Sequence, residues 1–130
     1  MKIKPIDEAN LEQISNVLGD TETGLTGNEI GRYLGECGIP DPLPEMTKRI
    51  RLFEALRAQQ RSDGCGNHIC AFIHRTMNPV LHVSSHGYFV AKQSELNRVL
   101  AFEGLRLNDE GKLESCKQAR TISQADETGA

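Results

Sequence analysis

Apolar residues recur along this chain at intervals of three and four, punctuated by glycines and prolines, and that pattern predicts amphipathic helices. Residues 7–18 predict a first helix, with Leu11, Ile14, Val17 and Leu18 on one face and Gly19 as terminator. A polar turn over 20–25 leads to Thr26-Gly-Asn-Glu29, which has the form of a capping box. In such a box the Thr26 hydroxyl accepts from the Glu29 amide, and the Glu29 carboxylate reaches back to the cap. Ile30, Tyr33, Leu34 and Cys37 then form the stripe of a second helix, closed by Gly38. Pro40, Pro42 and Pro44 prevent it from continuing, because each removes a donor and biases its predecessor to extended geometry.

A third helix is expected after Thr47, with Ile50, Phe53 and Leu56 facing inward and Lys48, Arg49, Arg51, Arg57 and Arg61 outward or flanking. Ser62-Asp-Gly-Cys-Gly66 breaks it. A fourth covers about 67–77, burying Ile69, Phe72, Ile73 and Met77, and Asn78-Pro79 stops it. Residues 80–83 read as a short strand or an ordered connection. Ser84 or Ser85 would cap a long fifth helix to about 103, with Phe89, Leu96, Val99, Leu100 and Phe102 available for burial and Gly104 closing it. Leu105-Arg-Leu107 and Lys112-Leu-Glu114 alternate around Asn108-Asp-Glu-Gly111, the pattern of a β-hairpin with a short glycine-containing loop. The expected architecture is mainly α, with about five helices in an orthogonal or bundle-like packing and a hairpin near the C-terminus. A single domain is expected over 1–116, with the hairpin at about 105–114 and a polar tail or the start of a linker over 117–130.

Composition narrows the function classes. At 130 residues, 38% hydrophobic and 25% charged, the chain has the make-up of one folded domain. A net charge of -3 argues against a bulk-cationic nucleic-acid coat, although a local basic face is compatible with it. No apolar run approaches the roughly 20 residues that span a bilayer, so no membrane partner is expected. Met1-Lys2-Ile3-Lys4-Pro5 lacks the apolar core of a signal peptide. The expected location is therefore the cytoplasm, with Cys37, Cys65, Cys70 and Cys116 as reduced thiols.

Three groups of residues invite a chemical reading. Cys65, His68, Cys70 and His74, with His82 and His86 following, are thiolate and imidazole donors of the kind zinc selects. Cys70 and His74 stand four apart, so one helix face could present both. The spacing is not that of a zinc finger, and cysteine is also a common small core residue, so the expected cofactor is none, with zinc as the alternative. Lys48, Arg49, Arg51, Arg57 and Arg61 form a basic row that could contact the phosphates of RNA or DNA, or be a solvated surface balanced by Glu45 and Glu54. Arg61 with His68, and Arg75 with His82, each enclose six residues, a spacing found in HEPN-type ribonucleases; here each pair spans a glycine or a proline. Hydrolase, P-loop, dinucleotide-binding, HExxH and EF-hand signatures are not found.

One longer stretch carries a likeness. Leu25-Thr-Gly-Asn-Glu-Ile-Gly-Arg-Tyr-Leu-Gly-Glu-Cys-Gly-Ile-Pro-Asp-Pro42 resembles the N-terminal half of the Ymh-like bacterial proteins. The resemblance runs on through Met46-Thr-Lys-Arg49, Leu56-Arg-Ala-Gln-Gln60, Gly64-Cys-Gly-Asn67, Phe72-Ile73, Met77-Asn-Pro79 and Leu96-Asn-Arg-Val-Leu-Ala-Phe-Glu-Gly-Leu-Arg-Leu107, to Ala119-Arg-Thr-Ile-Ser123. That group is found with mobile elements and phage-defence genes. The resemblance implies a C-terminal effector half, similar to HEPN domains, which would follow Ala130 in cis and hold any Arg/His active site. It implies for these 130 residues an accessory role, in sensing, docking or oligomerisation, with a protein partner or a homo-oligomer, and no catalytic residue carries over.

Overall fold

The computed structural model describes residues 2–129; Met1 and Ala130 lie outside them. Among the described residues there are six α-helices and one two-stranded antiparallel hairpin, so the mainly α class with a C-terminal hairpin holds. The sequence reading draws one boundary at 116, whereas the packing gathers into two compact units that divide between Arg75 and Thr76.

The first unit holds α1 (Glu8–Leu18), α2 (Gly27–Glu36), α3 (Lys48–Asp63) and nearly all of α4 (Asn67–Thr76). Asp7 caps α1, its carboxylate accepting from the Ala9 amide at 2.9 Å. The capping box of α2 is formed in both directions: Glu29 N donates to Thr26 Oγ1 at 3.1 Å, and Thr26 N to Glu29 Oε1 at 2.9 Å. Leu11, Ile14, Leu18, Ile30, Leu34, Leu52, Leu56, Ile69, Phe72 and Ile73 are fully buried. α3 departs from its expected register. Its buried residues are Leu52, Ala55, Leu56 and Gln60, while Ile50 is 45% exposed and Phe53 half-buried. Charged residues on all sides of α3 leave its apolar positions with two overlapping stripes, and packing selects the one that includes Gln60. Gln60 exchanges two 2.8 Å hydrogen bonds with the Ile6 backbone, which holds the N-terminal stretch against α3.

The second unit opens with a 3-10 turn, Pro79–His82, in the region that the sequence pattern left as a short strand or an ordered connection. The turn follows from Asn78-Pro79: Asn78 Oδ1 accepts from Val80 N at 3.2 Å, and the proline ring presets the first turn. α5 (His86–Leu100) buries Phe89, Lys92, Leu96, Asn97 and Leu100, then tightens into a second 3-10 turn, Ala101–Glu103, ended by Gly104 at φ 69°. β1 (Leu105–Leu107) pairs with β2 (Leu113–Ser115) in the register Leu105–Ser115, Arg106–Glu114 and Leu107–Leu113. Asn108 organises the connecting loop, its side-chain oxygen accepting from Glu110 N and Lys112 N. Gly111 sits at φ 75° with its α-carbon against the Met77 carbonyl, where an added Cβ would lie 2.2 Å from that oxygen.

Within residues 117–130, expected as a polar tail or the start of a linker, lies α6 (Ile122–Gly129), which packs on α5. Its buried contacts are alanines, Ala119 and Ala125, gathered with Ala101 and Phe102. Small apolar residues let the helices approach closely without a visible hydrophobic stripe. Thr121-Ile-Ser-Gln124 is nonetheless a capping signature, and Gln124 N donates to Thr121 Oγ1 at 3.2 Å. Arg98 on α5 pairs with Asp126 at 2.8 Å.

Candidate functional site

The five basic residues of α3 do not form one face. At 100° per residue they spread around the whole circumference, and each is engaged within its own unit. Lys48 Nζ donates to the Thr21 carbonyl at 3.2 Å, and Arg49 pairs with Asp20 at 2.8 Å. Arg51 is the most enclosed: Nε and Nη2 grip Asp41 and Nη1 donates to the Gly27 carbonyl at 3.0 Å, which ties the proline-rich loop to α2 and α3. Its bond to Asp41 raises the guanidinium pKa further. Arg57 pairs with Glu54 at 2.5 Å and lies over the Phe53 ring, and Arg61 makes a two-pronged pair with Glu8 at 2.9 and 3.0 Å. A row of cations in sequence is thus a set of staples in space.

The Cys/His group is dispersed by the same helical arithmetic. Cys70 and His74 lie on one side of α4, but His68, two residues before Cys70, is turned about 200° away. His68 Nδ1 bonds Asp63 Oδ2 at 2.5 Å, and Asp63 Oδ1 accepts from Gln59 at 2.8 Å. Cys65 and Cys70 are buried, and burial, then the neighbouring Cys65, pushes the Cys70 thiol up to about 11, which disfavours the thiolate a metal needs. Among the described residues no three His, Cys, Asp or Glu side chains gather as a group able to hold a metal ion. The Arg/His spacings fare likewise. Arg61 is bound to Glu8 while His68 is bound to Asp63; Arg75 pairs with Glu36 at 2.7 Å and covers the Tyr33 ring, while His82 Nε2 donates to the Thr76 carbonyl.

What the second unit does present is a cleft of about 490 Å³, within the range of ligand and side-chain pockets. Pro79, Val83, Phe89 and Val90 form its apolar walls, and His82, His86, Gln93 and Asp109 its polar points. His82 is fixed as wall, its ring stacked on Tyr88 at 5.3 Å. Asp109 is held by a neutral group, Gln93 Nε2 at 2.9 Å, and has no cationic partner among the described residues. Val83 is 78% exposed and Val80 65%, with Val90 and Leu81 also open to solvent.

Set against protein-family models, curated proteins and solved structures, this chain matches none. Among the described residues no helix is long and apolar enough to cross a membrane. The sequence pattern does not announce the cleft, because residues 80–83 read as a short strand or an ordered connection and neither reading says which side chains stay open. The only available signal was Asn78-Pro79 ahead of them, which favours a turn and so splays consecutive apolar side chains outward.

Proposed function

We propose that this chain is a non-catalytic accessory domain that docks a protein segment, and that it serves a bacterial defence-type protein of the kind its resemblance to the Ymh-like group implies. The observation that supports this reading is the cleft lined by Pro79, Val83, Phe89 and Val90. Exposed valines scattered singly need no explanation, but Val83 and Val90, both open to solvent on the wall of one concave surface, support an interaction site. Completing the burial of each valine contributes roughly 1–2 kcal/mol to association. Asp109 sets the sign of the occupant: a carboxylate on an apolar wall, balanced by an amide alone, favours an aliphatic side chain beside Lys or Arg. The nucleic-acid reading is less favoured, because Lys48, Arg49, Arg51, Arg57 and Arg61 already bond their own unit.

Selection of random displayed peptides on the full chain tests the proposal. The expected consensus is an aliphatic residue adjacent to Lys or Arg, with binding at least about tenfold weaker on the Val83→Gln/Val90→Gln variant. Enrichment of no consensus, or of peptides indifferent to that variant, overturns it.

A further inference from the structure

Resting on the reading of the cleft as a docking surface, we infer that it takes a partner segment whose cation, beside the aliphatic residue, is lysine, and that Gln93 disfavours arginine there. No lysine, arginine or second carboxylate lines the cleft, so Asp109 sets the sign of its polar end. Glu110 and Lys112, its neighbours in the hairpin loop, carry opposite charges and are not among the lining residues. His82 and His86 are the remaining titratable walls, and His82 Nε2 is taken up by the Thr76 carbonyl at 2.9 Å.

Gln93 decides how that carboxylate is presented. Its amide nitrogen is claimed by two acceptors: Nε2 donates to Asp109 Oδ1 at 2.9 Å and to the Leu107 carbonyl at 3.2 Å. Only the donor end of the amide can sit between two acceptors, which fixes its orientation. Two acceptors are then left over, since among the described residues neither Asp109 Oδ2 nor Gln93 Oε1 receives a hydrogen bond. Arginine pairs best with a carboxylate through two parallel N–H bonds, one to each oxygen. Here Oδ1 is already engaged, so a guanidinium fork meets a rival donor at one of its two targets. Lysine brings a compact ammonium with three donors, which needs only Oδ2 from the carboxylate and finds a second acceptor in Oε1. Its aliphatic stem adds apolar cover for Val83 and Val90.

Selection of random displayed peptides, run in parallel on the full wild-type chain and on Gln93→Met, tests this. Methionine keeps the side chain's length and removes its polar atoms, while the Leu107 carbonyl retains Asn97 Nδ2 as a donor at 3.1 Å, so unchanged circular dichroism is expected. On the wild type, lysine beside the aliphatic residue is expected to outnumber arginine by at least about threefold after correction for the input library, the scale of one modest hydrogen bond. On Gln93→Met both carboxylate oxygens open to the guanidinium fork, and the lysine excess is expected to vanish or reverse. Asp109→Asn is expected to lose the preference for either cation. A merely structural role for Gln93 would weaken both kinds of peptide alike and leave their ratio unmoved. Matched lysine and arginine versions of the consensus peptide, titrated on the wild-type chain, give the ratio without any substitution. Arginine at parity or in excess on the wild type overturns the inference, as does a lysine excess that survives Gln93→Met; either result leaves the docking reading standing. No consensus at all on the wild type removes both.

Discussion

Asn97 does for the second unit what Gln60 does for the first. Each is a buried amide that returns both hydrogen bonds of a single backbone residue, as a neighbouring strand would. Asn97 Oδ1 accepts from Leu107 N at 2.7 Å and its Nδ2 donates to the Leu107 carbonyl at 3.1 Å, so α5 closes the outer edge of β1. The carbonyl has a second donor in Gln93, but the Leu107 N–H has no other partner among these contacts. Asn97→Ala would therefore leave one buried donor unsatisfied, and the expected cost is about 1–3 kcal/mol of folding free energy, read by urea denaturation. A change within about 0.5 kcal/mol would mean that water reaches the strand edge. No periodicity announces such a residue: an asparagine on a helix reads as surface, and only the strand folded against it turns it inward.

At the scale of elements, the connection between α1 and α2 is held by one carboxylate. Asp20 accepts from the Thr23 and Glu22 amides, the Thr23 hydroxyl and Arg49, and these bonds, in that order of weight, hold its pKa well below the usual carboxylate range. A folded-state pKa below the unfolded one stabilises the fold above about pH 4, and that contribution is lost as pH falls toward the folded value. Asp20→Asn is expected to melt below wild type at neutral pH, with the gap narrowing in acid. Melting temperatures of both proteins across that range check it, and a gap that widens in acid would contradict the assignment. The helices α1, α2 and α4 were legible because their stripes and caps are local. α3 and α6 were less so: α3 is charged on every side, and α6 buries alanines whose contribution exists only where another helix comes close.

For the whole molecule, the two compact units share the chain at Arg75–Thr76, and each contains one of the two tyrosines, Tyr33 or Tyr88, in a chain without tryptophan. Tyr33 is buried beneath the Arg32 and Arg75 guanidinium groups, and Tyr88 lies beside His82. In Tyr88→Phe and Tyr33→Phe backgrounds, tyrosine emission reports one unit at a time. Asn97→Ala is expected to lower the urea midpoint reported by Tyr88 more than that reported by Tyr33. Equal shifts would show that the units unfold as one cooperative body.

By itself the sequence determined the helical class, the capping box at Thr26, the hairpin with its glycine at 111 and the stripe of α4, since each depends on neighbours within a few residues. Tertiary structure decided everything that depends on which distant groups meet. It turned the cations at 48, 49, 51, 57 and 61 into staples, because carboxylates and carbonyls from other segments lie within hydrogen-bond reach. It separated His68 from Cys70, because a helix turns 100° per residue. It also left Val83 and Val90 uncovered beside Asp109, a surface that spacing alone could not distinguish from core.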